Sequence, residues 1–116
     1  MITSNLFRLT IDLQKGPAVE PQDDVMLHLS IRPDENSIVR NHFFYHKYGY
    51  EERSGGCPVR VHESFEITII AEADFYKVLV NGQNFCTFNH RLSMNLAKFI
   101  TIRGGCEIQY IQLEQQ

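Results

Sequence analysis

The stretch LHLSIR, residues 27–32, alternates without a break: Leu27, Leu29 and Ile31 interleave with His28, Ser30 and Arg32. Side chains on a β-strand point to opposite faces with period two. One face of this segment is therefore oily, and the other carries an imidazole, a hydroxyl and a guanidinium in a row. Such a segment reads as a half-buried strand of an antiparallel sheet. The oily face needs only a core; the polar face asks for a purpose.

The same period recurs on both sides. LFRLTIDL (6–13) sets Leu6, Arg8, Thr10 and Asp12 against Phe7, Leu9, Ile11 and Leu13. KGPAVEPQDD follows as a loop, with two prolines and a glycine. After the turn PDENS comes SIVRNHFFYH, rich in β-branched and aromatic residues, then YGYEER, the breaker SGG and the short alternating PVRVHE. SFEITIIAE (64–72), FYKVLV (75–80) and NFCTFNH (84–90) form a meander. Asn81-Gly82 joins the last two, and both residues tolerate the positive φ of a tight hairpin turn. FITIRG (99–104) and CEIQYIQLE (106–114) close the chain, and RLSMNLAK holds the one plausible helical turn. Many short strands with turn signals between them predict an all-β fold of two packed antiparallel sheets. Leu27/Leu29/Ile31, Phe65/Ile67/Ile69, Val78/Val80 and Ile100/Ile102 are the expected inward sets.

The chain has 116 residues, enough for one domain (1–116) with its own core. A net charge of −3 and scattered arginines speak against a nucleic-acid surface. No apolar run is long enough to span a bilayer, so no membrane insertion is expected, and MITSNLFRLTID lacks the pattern of a signal peptide. Three cysteines, Cys57, Cys86 and Cys106, have no framework spacing and suit a reducing compartment.

No catalytic signature is present: no G-x-S-x-G elbow, no phosphate-binding loop and no H-E-x-x-H. His42 and His46 have a spacing that serves a metal on a helix, but they lie in a strand-like segment. Glu51 and Glu52 are adjacent, and adjacent strand residues point apart, so they do not form a carboxylate pair across a bond. An enzyme, a metal site and a cofactor are therefore not expected.

One constellation remains: His28, Ser30, Arg32, Asn41, Tyr48, Glu51 and Arg53. If the strands carrying Arg32 and Glu51/Arg53 are neighbours, Glu51 sits between two guanidiniums and fixes both by charge-assisted hydrogen bonds. The result is a set of preorganised N–H donors with an aromatic ring at one end.

These residues resemble the galectins, the β-galactoside-binding lectins with a jelly-roll sandwich. The family signature H-x-N-P-R, a V-x-N segment and W-G-x-E-x-R stands here as H-L-S-I-R (28–32), V-R-N (39–41) and Y-G-Y-E-E-R (48–53). P-V-R-V-H-E-S-F-E-I, F-Y-K-V-L-V-N-G, F-N-H-R and I-R-G-G follow in the family's order, so the resemblance runs from about Asn5 to the C-terminus. It implies that His28, Arg32, Asn41, Glu51 and Arg53 contact a sugar. Ser30 stands where the family has asparagine, Ile31 where it has proline, and Tyr48 where it has the tryptophan that stacks on galactose. It also implies a shallow, solvent-lapped groove, an N-terminal strand region shorter than usual, and a sheet edge open to a second copy of the chain. The expected partners are galactose-containing glycans or glycoproteins. The expected place is the cytoplasm, with export by an unconventional route. The alternative is a galectin-fold module that has lost lactose binding and binds protein instead.

Overall fold

The computed structural model describes residues 8–61 and 63–104. Its strands are β1 (Leu9–Gln14), β2 (Val25–Arg32), β3 (Ser37–Phe44), β4 (Lys47–Tyr48), β5 (Ile67–Ala71), β6 (Phe75–Val80), β7 (Gln83–Asn89) and β8 (Phe99–Gly104). They form a five-stranded sheet in the order β4-β3-β2-β1-β8 and a three-stranded sheet in the order β5-β6-β7. Every pairing is antiparallel. The two sheets close on each other as a jelly-roll sandwich.

The alternation in β2 decides which face closes. Leu27, Leu29 and Ile31 are fully buried, and they meet Leu9 and Ile11 of β1, Ile38 of β3, and Tyr76, Val78 and Phe88 of the opposite sheet. Each buried aliphatic side chain of this size contributes about 1.5–3 kcal/mol. Phe65, Ile67, Ile69, Ile100 and Ile102 are only partly buried but pack against the same core. Asn81 and Gly82 take φ of 52° and 79°, the left-handed pair that a two-residue hairpin needs. The helical turn in RLSMNLAK is a single 3-10 turn at Met94–Leu96, with the Ser93 hydroxyl accepting from the Asn95 N–H.

Three expectations need correction. PVRVHE forms no strand over its described residues, although Val59 is buried in the core. SIVRNHFFYH does not run through as one strand: β3 stops at Phe44, and Tyr45 and His46 turn the chain with φ of 49° and 61°. Neither residue is a turn former; the Tyr45 N–H bonds the Asp24 carboxylate at 3.2 Å, which anchors the turn from another loop. YGYEER contributes only Tyr48 to a strand, and the rest follows β3 through an isolated bridge between Arg40 and Glu52. The segments 1–7 and 106–114 lie outside the described residues, and with them the shortened front and the closing strand.

Candidate functional site

Register places the polar face of β2 at the centre of the five-stranded sheet. His28 is opposite Asp12 on one side and Asn41 on the other, and Asp12 is opposite Thr101. Ser30 is opposite Thr10, which is opposite Arg103. These rows of polar side chains floor an open groove of about 670 Å3. His28, Ser30, Arg32, Asn41, Tyr48 and Glu51 all line it, together with Arg8, Thr10, Gly49, Arg103 and Gly104. Arg53 does not line it; it stands behind the wall and holds Glu51 by a 3.0 Å bond from its Nε.

The carboxylate between the two arginines is Glu35, not Glu51. Glu35 Oε1 takes Arg53 Nη1 at 2.8 Å and Arg32 Nη1 at 3.4 Å, while Oε2 pairs with Arg8. Chain direction explains the difference. Pro33–Glu35 form a 3-10 turn directly after β2 and fold Glu35 back toward Arg32. The Arg53 side chain holds the Glu35 carboxyl below its usual value, with Arg8 and Arg32 adding to the effect. Glu35 was not legible as a site residue because its turn lies outside the alternating pattern.

Arg32 is held from a second side, where its Nε donates to the Ser30 hydroxyl at 3.0 Å. With both anchors in place its guanidinium plane is fixed before any ligand arrives. At the other end, the Tyr48 ring lies 5.0 Å from His28 and 4.8 Å from Phe43, centre to centre. Tyr48 is half exposed, so a ring face remains available to solvent. Burial, first of all, and the nearby Asp12 raise its phenol above the ordinary value, so it stays an uncharged surface at neutral pH.

Asn41 is largely committed to the protein. It donates to the Gly49 carbonyl at 2.9 Å and accepts from the His42 N–H at 2.8 Å and from Arg91 Nη1 at 3.0 Å. Arg91 also donates to His42 Nδ1 at 3.0 Å and to Glu52 at 2.8 Å. An arginine only donates, so His42 Nδ1 offers a lone pair there. His42 is thus an element of this support and His46 packs edge-on against Phe43, which separates the two histidines by function. Asp12, fully buried, accepts from His28, Gln22 and Arg103 beneath the groove. Its alternation within LFRLTIDL was readable, but not the three donors that meet there.

The arrangement offers fixed planar donors, an imidazole and an exposed aromatic ring in an open trough. Such a surface has the chemistry to hold a small polar ring with one apolar face. A family model for galactoside-binding lectins matches residues 1–113. The 32 kDa beta-galactoside-binding lectin of Caenorhabditis elegans is 34% identical over 104 residues, 90% of this chain and 37% of the relative. Human Galectin-7 is 27% identical over 97% of this chain and 82% of its own length. Among solved structures, the Caenorhabditis elegans galectin LEC-6 superposes with a TM-score of 0.78 at 26% identity, covering 90% of this chain and 70% of the other. The chain spans about a third of the length of the 32 kDa lectins it matches. From the core pattern of LHLSIR to the order of its strands and the match along nearly its full length, this chain belongs to the galectin family.

Proposed function

We propose that the groove binds β-galactosides, without a chemical step. The observation that carries this reading is the fixing of Arg32 between Ser30 and Glu35, beside His28 and across from the open Tyr48 face. A galactose ring offers one apolar C–H face and several hydroxyls. The face suits Tyr48, and a hydroxyl that both donates and accepts suits the space between His28 and Arg32. Because the trough is open, single sites bind weakly and gain from multivalent glycans.

A second reading is a protein-interaction module. It is favoured by Tyr45 and Tyr50, which flank β4 in sequence and are 79% and 86% exposed, and by the commitment of Asn41 to internal bonds. Lactose titration of the wild type and of Arg32→Ala separates the two. Galactoside binding predicts saturable lactose binding that Arg32→Ala abolishes with the fold intact. A wild type that binds no galactoside on a glycan array favours the module.

A further inference from the structure

His28 Nδ1 lies 2.6 Å from Asp12 Oδ1, in a pair that is nearly dry: the His28 side chain is 11% exposed and that of Asp12 is 0%. A carboxylate only accepts, so the hydrogen between them sits on His28 Nδ1. The other carboxylate oxygen, Oδ2, accepts from Gln22 Nε2 at 3.0 Å and from Arg103 Nη2 at 3.1 Å. Three elements (β2, β8 and the loop after β1) thus deliver donors to one buried carboxylate, and Asp12 cannot turn away from His28 without losing them.

We infer that Asp12 is a positioning residue: it locks His28 in the Nδ1–H tautomer and leaves Nε2 as a lone-pair acceptor at the floor of the groove. Among the described residues no side chain or backbone group bonds Nε2. Arg32, the neighbouring cation, only donates. The pair therefore selects a ligand hydroxyl, which accepts from Arg32 and donates to His28. An ether oxygen at the same place satisfies Arg32 alone. This consequence for the ligand rests on the galactoside reading; the tautomer does not.

The isosteric change Asp12→Asn tests the inference because its outcome is directional. Asparagine has one carbonyl oxygen and one NH2. Arg103 is a donor in every state, so the carbonyl turns to the Arg103 and Gln22 side and the NH2 faces His28. An NH2 there requires a lone pair on Nδ1, which moves the ring hydrogen to Nε2. A wrong tautomer behind intact geometry is known to disable a histidine site.

The measurement is nitrogen NMR of the His28 ring, followed into mildly alkaline solution until the spectrum no longer changes. The expected result is hydrogen on Nδ1 in the wild type and on Nε2 in Asp12→Asn, with lactose affinity at least tenfold weaker in the folded variant. A wild-type ring protonated at Nε2, or exchanging between tautomers, overturns the inference, as does a folded Asp12→Asn that keeps Nδ1–H. If the variant does not fold, the wild-type ring decides by itself. A wild type with Nδ1–H that binds no galactoside removes the functional reading and leaves the role of Asp12 standing.

Discussion

Glu35 Oε1 holds Arg53 Nη1 at 2.8 Å across 18 residues of sequence, and Arg53 in turn holds Glu51 at the groove wall. All three groups are well exposed, so their pairing adds little to stability. Its effect is geometric. Glu35→Gln removes the charge that anchors Arg32 and Arg53 together. We expect unchanged thermal stability and roughly tenfold weaker lactose binding, about 1.4 kcal/mol. Calorimetry showing wild-type affinity in this variant would rule out the anchoring role.

Gly49 lets the chain just after β4 lie against His42. A Cβ at this position stands 2.1 Å from His42 Cε1, and Arg91 keeps that ring from swinging aside. Gly49→Ala must therefore shift the backbone that carries Tyr48 and breaks the Asn41–Gly49 bond. Overpacking of this kind costs about 1–3 kcal/mol. Denaturant midpoints and lactose titration should both fall; a variant that keeps both would show the ring to be free.

Arg40 is a cation on the core face of β3, 3% exposed. It donates to the carbonyls of Ile38 and Ser54 at 2.9 and 2.7 Å and to the Ser54 hydroxyl at 3.3 Å, with its guanidinium 5.5 Å from the centre of the Phe85 ring. It thereby pins the loop that follows Arg53. Charge-assisted bonds are worth about 1.5–3 kcal/mol each when broken singly. Arg40→Ala should destabilise by about 3 kcal/mol, and Arg40→Lys should recover little because lysine has no planar fork. Equilibrium unfolding of the two variants checks the order; a lysine variant as stable as wild type would contradict it.

Burial, and then the Arg91 charge, hold His42 below its usual value of 6.5. The unfolded chain then takes up a proton before the folded one as pH falls. The contribution to stability is whole above about pH 6.5 and is lost below it, toward the lower folded value. His42→Asn keeps an acceptor for Arg91 but does not titrate. Its melting temperature should vary less than that of wild type between about pH 7 and 5.5. Parallel curves for the two proteins would remove His42 as the cause.

The core and the groove floor were legible because both follow from period two. Leu27, Leu29 and Ile31 on one side and His28, Ser30 and Arg32 on the other are set by strand geometry alone, and the structure buries and aligns them accordingly. What alternation cannot show is which distant group meets which. Glu35 reaches Arg53 through a 3-10 turn, Arg91 reaches Asn41 across 50 residues, and Tyr45 takes a left-handed turn because Asp24 anchors it. These are tertiary facts, and no local pattern encodes them. The misassigned PVRVHE strand has the same cause: Val59 is buried by the core it meets, without a strand partner.

The order β4-β3-β2-β1-β8 has a consequence for how the protein is made. His28, Ser30, Arg32 and Asn41 all lie within the β2–β3 hairpin, whose pairing is local in sequence. The clamp on Asp12 is different, because Arg103 reaches it across 91 residues and Thr101 reaches Gln14 across 87. Contacts of such separation form late, since the intervening chain must be closed first. A chain that lacks β8 therefore carries these groove-lining side chains without the support that aligns them. A chain cut before β8 should therefore keep the residues of the groove floor but lose their order, which broadened His28 ring signals in such a truncation would report.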